Sequence, residues 1–129
     1  MADVNRGNRP LSPHLQIYRL PLTAVLSILH RITGMAMILA AVLIVWWFVA
    51  AVYSPRYFAT ADWLLSSWLG TLVMLGSLWA LAFHFCNGLR HLVWDSGRMF
   101  DLPSANRSNL FVLGGSVVLT VLVVILVRL

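Results

Sequence analysis

The sequence predicts an all-α membrane protein with three transmembrane helices, and three observations support that prediction. Hydrophobic residues make up 60% of the chain and charged residues only 10%, whereas about a quarter of the residues in soluble proteins are charged. Three apolar stretches are each long enough to cross a membrane. Residues 1–22 contain three prolines, three arginines and no continuous apolar core, so we expect no signal peptide and insertion through the first membrane helix itself.

The first predicted span covers about residues 21–53. Residues 34–53 contain no charged side chain, and about 20 such residues cross a hydrocarbon core of roughly 30 Å. The helix is expected to begin near Pro21, because proline is tolerated in the first turn of a helix. It is expected to end near Ser54 and Pro55.

The second and third predicted spans cover about residues 63–90 and 109–128. Asp62 is a plausible N-cap of the second span, and Trp63 is expected to anchor it at the membrane interface. Ser108 and Asn109 are possible caps of the third span. We treat residues 1–129 as a single membrane-anchor domain. Its three helices enclose little interior of their own, so partner helices are expected.

The arginines predict the orientation of these spans. All nine basic residues are Arg and all four acidic residues are Asp, and no basic run resembles a nucleic-acid footprint. Arginines are concentrated before and within the start of the first span and in the second connection, and they are sparse elsewhere: Arg6, Arg9, Arg19 and Arg31, then Arg90, Arg98 and Arg107, against Arg56 and Arg128. By the positive-inside rule the N-terminal segment, residues 1–20, is cytoplasmic and the C-terminus lies outside.

One face of the first predicted helix carries polar side chains. Ser27, His30, Arg31 and Gly34 follow the i, i+3, i+4, i+7 spacing of a single helix face. His30 lies about 13 Å along the helix from Pro21 at about 1.5 Å per residue, below the headgroups. Arg31 at that depth requires an acid, a carbonyl or a ligand anion. Alternatively Arg31 extends to the interface, and Ser27 bonds to its own helix backbone.

His84 is the strongest candidate for a functional residue. Residues 63–89 contain no other ionisable side chain except the thiol of Cys86, and an imidazole inside lipid is costly unless it has a partner. That partner is a metal, a haem iron or a proton path, or a hydrogen bond to another helix. Ser77, Ala80, Leu81, Gly88 and His91 share this helix face by the same spacing. Its small residues permit close approach of another backbone or a flat ring. His84 is about 9 Å from the interface if Arg90 marks it, a depth similar to that of His30.

Other polar residues carry less information. Cys86, the only cysteine, excludes a disulfide within the chain and a zinc cluster, and it is best interpreted as an apolar packing residue. His91, beside Arg90, is interpreted as interfacial. Asp95 can pair with Arg90, with Arg98 or with a partner subunit, and the sequence assigns no role to His14.

Three stretches of the sequence form a recognisable set. They are Arg9-Pro-Leu-Ser-Pro-His-Leu-Gln-Ile-Tyr18, Ser27-Ile-Leu-His-Arg-Ile-Thr-Gly34 and His84-Phe-Cys-Asn-Gly-Leu-Arg-His-Leu-Val-Trp-Asp95. In order and spacing they resemble the cytochrome b membrane-anchor subunit of succinate dehydrogenase, respiratory complex II, in its alphaproteobacterial and mitochondrial forms. Residues 110–129 match that family only as a generic span.

The resemblance implies a haem and a quinone site. It implies one haem b shared with a second membrane-anchor subunit, with His84 as the axial ligand from this chain and the other axial histidine on the second subunit. His30 and Arg31 would neutralise the haem propionates, and Ser27 and Arg31 would line a ubiquinone site. The implied partners are the second anchor, an iron–sulfur subunit and a flavoprotein that oxidises succinate, all at a bacterial inner membrane or a mitochondrial inner membrane.

Three other functions are considered beside this one. The first is an anchor of a related quinol:fumarate reductase working in the reverse direction. The second is a small proton or ion transporter that uses His84 and Arg31, although no acidic residue lies within a predicted span. The third is a structural assembly subunit without a cofactor, for which replacement of His84 by Leu would leave any haem signal unchanged.

Overall fold

The computed structural model describes residues 19–128 and contains four helices. They are α1 (Leu22–Tyr53), α2 (Pro55–Ser66), α3 (Trp68–Asp95) and α4 (Leu102–Arg128). No strand is present in this part of the chain, and α1, α3 and α4 are long and apolar enough to cross a membrane. The predicted all-α fold with three long spans is therefore confirmed. The motif at residues 9–18, which includes His14, lies outside the described residues.

The limits of α1 agree with the sequence-based prediction. Pro21 precedes the helix, and its carbonyl accepts hydrogen bonds from the backbone N–H groups of Ala24 and Val25. The helix ends at Tyr53, and Ser54 adopts extended backbone angles before Pro55 begins α2. Proline fits the first position of a helix because its missing N–H would have no partner there.

The short helix α2 was not predicted, and it changes the start of the second span. The Ser54 hydroxyl accepts a hydrogen bond from the Tyr57 N–H at 3.2 Å and so caps α2. The predicted cap at Asp62 was wrong, because Asp62 lies inside α2. The cap of α3 is Ser67, whose hydroxyl accepts from the Gly70 N–H at 3.1 Å.

Gly70 permits the close approach of α2 and α3. A Cβ atom at this position would collide with the backbone carbonyl oxygens of Leu64 and Leu65 at the end of α2. Backbone atoms cannot move aside as a flexible side chain can, so the sharp connection between the two helices requires glycine here.

A defined turn joins α3 to α4. The Gly97 N–H donates to the Trp94 carbonyl at 2.8 Å and the Arg98 N–H donates to the Val93 carbonyl at 3.4 Å. These two bonds form a Schellman motif, which places Gly97 in the left-handed region with φ of 79°. Asp101 then caps α4, because its carboxylate accepts from the Ser104 N–H at 2.9 Å.

The predicted caps at Ser108 and Asn109 were wrong. Both residues lie well inside α4, and both are buried. The Ser108 hydroxyl donates to the Ala105 carbonyl at 2.7 Å, a bond within the helix. The true cap, Asp101, lies more than two helix turns before the apolar stretch that begins at Leu110, so the stretch alone could not locate it.

The interior of the bundle is small. Leu26, Phe83, Cys86 and Val112 form its core, which confirms the packing role of Cys86. Most other large apolar side chains on α1, α3 and α4 are exposed. In water such a surface would be strongly unfavourable, so lipid or partner helices must cover it.

Candidate functional site

His84 lies at the contact between α3 and α1, where its half-buried ring packs on His30. The two imidazole rings are stacked, with centroids 3.8 Å apart and planes 14° apart. The sequence placed these residues at similar depth on different helices, and the structure brings them into direct contact.

The polar contacts of His84 all come from α1. Its Nδ1 atom lies 3.2 Å from the backbone carbonyl oxygen of His30 and 3.4 Å from the hydroxyl oxygen of Thr33. The Thr33 hydroxyl is itself bonded to the carbonyls of Leu29, at 2.8 Å, and His30, at 3.0 Å. Thr33 is buried, and sequence reasoning did not identify it, although it lies three residues beyond His30.

Gly34 completes the surface of α1 against which His84 rests. A Cβ atom at Gly34 would lie 3.2 Å from Cε1 of His84, closer than most real Cβ contacts. By contrast, a Cβ atom at Gly88, the glycine on the His84 face of α3, would meet open space. The close approach of α1 to the imidazole thus depends on Gly34, and the space beside Gly88 stays free.

A groove between α1 and α3 continues from the His84 face toward the middle of the membrane. Its volume is about 300 Å³. Leu81, one turn before His84, is part of its wall, together with small and flexible apolar residues from both helices: Met37, Ala40, Ala41, Ile44, Met74, Ser77 and Leu78. Histidine is a residue type that ligates metals, and an apolar groove beside it is suited to binding a flat apolar group.

His91 joins this cluster, although the sequence gave it no ligand role. Its ring centroid lies 5.4 Å from that of His30 and 5.1 Å from the ring of Trp94, which it meets edge-on. Its position seven residues after His84 is the signal that it shares the helix face.

A series of hydrogen bonds between polar side chains links all three long helices near the end of the bundle that contains His91. Nη1 of Arg90 on α3 donates to the side-chain carbonyl of Asn109 on α4, and the Asn109 amide donates to the Thr23 hydroxyl on α1 at 3.0 Å. The guanidinium of Arg90 also lies 4.6 Å from the ring centroid of Trp94. Sequence reasoning interpreted Arg90 as an interfacial residue and missed this series of hydrogen bonds.

Several buried polar atoms in this region have no hydrogen-bond partner among residues 19–128. They are Nδ1 of His30, both side-chain polar atoms of Asn87, Nε and Nη2 of Arg90, and Nε1 of Trp94. Buried polar groups are nearly always paired in proteins. The chain's own helices enclose these atoms, so buried water is the partner that can reach them.

The other two candidate residues lie on the outer side of α1. Ser27 is half-buried and Arg31 is exposed, so Arg31 is available to a ligand or to a neighbouring subunit. Across the described part of the chain, no group of three or more His, Cys, Asp or Glu side chains converges as metal sites require. His84 therefore offers one ring nitrogen, and not a cluster of ligands, to a metal or a hydrogen-bond partner.

The three long apolar helices and the stacked histidines between two of them define a multi-pass membrane protein with a pair of imidazoles inside its helix bundle. The chain belongs to the succinate dehydrogenase/fumarate reductase transmembrane subunit family, whose model matches residues 5–123.

Relatives in bacteria and mitochondria agree with this assignment. The chain is 58% identical to the succinate dehydrogenase cytochrome b556 subunit of Paracoccus denitrificans over 97% of this chain and 96% of that protein. It is 38% identical to the cytochrome b556 subunit of Rickettsia conorii, over 90% of each chain. The mitochondrial cytochrome b560 subunit of Sus scrofa is 38% identical over 90% of this chain and 68% of that protein.

Proposed function

We propose that the chain is the haem b-containing membrane-anchor subunit of a succinate:ubiquinone oxidoreductase. The observation that carries this proposal is His84, an imidazole inside the membrane whose Nδ1 contacts α1 and whose Nε2 is not engaged by the described residues. The names of the relatives, which are cytochrome b subunits of succinate dehydrogenase, supply the enzyme and the type of haem.

The residues present fit a haem. His84 supplies one axial ligand, and the adjacent groove of about 300 Å³ offers an apolar wall for the edge of a porphyrin. The half-buried His30 and the exposed Arg31 are proposed to face the haem propionates, and a guanidinium can bind a carboxylate through two parallel bonds. A haem with two histidine ligands has no open position and transfers electrons rather than binding oxygen.

The second axial histidine is proposed to come from the other anchor subunit. His30 packs face to face on His84. A histidine would bind iron through a nitrogen lone pair in the plane of its ring, and two nearly parallel rings stacked 3.8 Å apart would not place a nitrogen on each side of one iron. His30 therefore supports the site from the side of α1 rather than ligating. The unpaired atoms of Asn87 and Arg90 are enclosed by this chain's own helices, so bound water is proposed to satisfy them.

Ser27 and Arg31 are proposed to bind ubiquinone. A quinone that gains electrons becomes more basic and more negative. A hydroxyl donor and a guanidinium stabilise that developing charge most strongly where water is scarce. Ser27 donates a hydrogen bond to a quinone carbonyl oxygen, and Arg31 lies one turn further along α1 on the same face.

The chain works as one of four subunits in this proposal. A flavoprotein oxidises succinate, an iron–sulfur subunit passes the electrons to the membrane, and the two anchors bind ubiquinone at the cytoplasmic side. The concentration of arginines at the N-terminal segment and in the α3–α4 connection supports this orientation, with the N-terminus inside.

A fumarate reductase anchor is the second candidate, because the family model covers both enzymes. The relatives named as succinate dehydrogenase subunits favour oxidation of succinate. The histidine–arginine transporter has less support, since the only acidic residue in α1, α3 or α4 is Asp95 at the last residue of α3.

The quinone assignment is tested with the purified complex that carries Ser27→Ala. We expect slower ubiquinone reduction, by about 10-fold if the lost bond contributes about 1.4 kcal/mol to the transition state, while succinate oxidation with an artificial dye is unchanged. Ser116→Ala is the matched control, because its hydroxyl bonds to the Leu113 carbonyl at 2.8 Å within α4. Wild-type quinone kinetics in Ser27→Ala would remove Ser27 from the site.

A further inference from the structure

The surroundings of His84 define which of its ring nitrogens carries the proton. The nearest polar neighbour of Nδ1 is the His30 carbonyl oxygen, at 3.2 Å, and a carbonyl can only accept. The second neighbour, the Thr33 hydroxyl at 3.4 Å, already directs its hydrogen to backbone carbonyls of α1. With two acceptors and no donor facing it, Nδ1 of the neutral imidazole must be the protonated nitrogen.

We infer that the Thr33–Gly34 turn of α1, together with the His30 carbonyl, is the seat that fixes the tautomer and the orientation of His84, with Thr33 and Gly34 as its positioning residues. The seat holds the proton on Nδ1 and leaves the lone pair on Nε2, for which the described residues provide no hydrogen bond. This inference rests on the proposed function, because it specifies how this chain presents its axial ligand.

Each part of the seat makes a separate contribution. The carbonyl and the hydroxyl accept from Nδ1–H, which makes the imidazole a more basic ligand. Gly34 keeps the space in which the ring lies, since an added Cβ would approach Cε1 to 3.2 Å. Cε1 lies between the two ring nitrogens. A steric contact at this atom would rotate the imidazole ring, which moves Nδ1 away from its acceptors and changes the direction of Nε2.

The seat has a consequence for the redox potential of a haem ligated by His84. A ligand whose Nδ1–H is hydrogen-bonded donates more electron density to the iron and favours the ferric state. Weakening these bonds therefore raises the midpoint potential. The effect is independent of catalysis and can be read from the haem itself.

The test is a redox titration of haem b in the purified four-subunit complex, with the low-spin electron paramagnetic resonance signal recorded in parallel. We expect Gly34→Ala and Thr33→Val each to raise the midpoint potential and shift that signal, while Thr33→Ser keeps the wild-type values because it retains the hydroxyl. Gly114→Ala on α4 is the matched glycine control, since its Cβ would meet open space.

The outcomes separate this inference from the proposed function. If Gly34→Ala and Thr33→Val both bind haem with unchanged midpoint potentials and resonance signals, the inference about the seat is overturned. The proposed haem-binding function would still stand. A wild-type complex without a b-type haem would instead overturn the proposed function. If Gly34→Ala fails to assemble, Thr33→Val and Thr33→Ser decide, because valine keeps the shape of threonine and serine keeps its hydroxyl.

Discussion

At the scale of single residues, hydrogen bonds between buried polar side chains connect the three long helices near the end of the bundle that contains Arg90. Such side chains would be unfavourable in lipid without these partners. Arg90 is only 5% exposed, yet it has one hydrogen bond, to Asn109, and a stacking contact with Trp94. Asn109 is fully buried and bonds with both ends of its amide, to Arg90 and to Thr23. The Asn109 amide thus connects α1, α3 and α4. Its partner on α1, Thr23, lies one turn before Ser27.

Replacing Asn109 should therefore weaken the whole helix contact. In Asn109→Leu the Arg90 guanidinium and the Thr23 hydroxyl lose their partner, and an unsatisfied buried group costs about 1–3 kcal/mol. We expect a lower thermal midpoint of the purified complex. The matched control is Asn106→Leu on the exposed face of the same helix, and equal midpoints for the two variants would contradict the account of Asn109.

At the scale of elements, hydrophobic length predicted the three long helices, while local capping chemistry decided where they begin. The end of α1 was predictable because Ser54 and Pro55 interrupt the helix in the sequence itself. Helix α2 was missed because Trp63, Leu64 and Leu65 are apolar and read as the start of the second span, although the chain turns at Ser67. The turn depends on a close backbone approach at Gly70, which no single-residue pattern reveals.

The site was predictable to a similar extent. His30 and His84 could be paired from spacing and depth, since both properties are written in the sequence. The contacts of Thr33 and Asn109 could not, because they depend on how the helices rotate and cross. A hydroxyl or amide that bonds across helices looks the same in sequence as one that bonds to its own backbone.

The N-terminus of α4 should respond to pH through Asp101. Hydrogen bonds from Ser104, first its backbone N–H, hold the pKa of the Asp101 carboxyl below its ordinary value. A carboxyl with a lowered folded-state pKa stabilises the fold above its unfolded pKa, and that stability is lost as the pH falls through the folded-state pKa. We expect the α4 cap to loosen below about pH 4.

Asp101→Asn is the variant that isolates this effect. Asparagine also caps helices but does not titrate in this range, so the variant should lose the acid-dependent part of the change. The measurement is the thermal midpoint of the purified complex as a function of pH, with Asp62→Asn in α2 as the control. An identical acid response in the wild type and in Asp101→Asn would exclude Asp101 as its source.

At the scale of the whole molecule, the chain encloses only a small core of its own. Its core is limited to a few side chains around Leu26, Phe83 and Val112, while apolar residues cover the outside of all three long helices. Unpaired polar atoms of Asn87 and Arg90 are buried close to the His84 site. An apolar exterior is expected against lipid, whereas the unpaired polar atoms lie inside the bundle, where buried water can satisfy them.

The identity of the axial ligand is the central claim, and a reduced-minus-oxidised absorbance spectrum of the purified complex tests it most directly. The wild type should show a low-spin b-type spectrum, His84→Leu should lose it, and His91→Leu should keep it, because His91 contacts the His30 ring but is not proposed as a ligand. The double variant His30→Leu/His84→Leu identifies any replacement of the ligand by the stacked His30 ring. A wild-type spectrum and midpoint potential in His84→Leu would contradict the account.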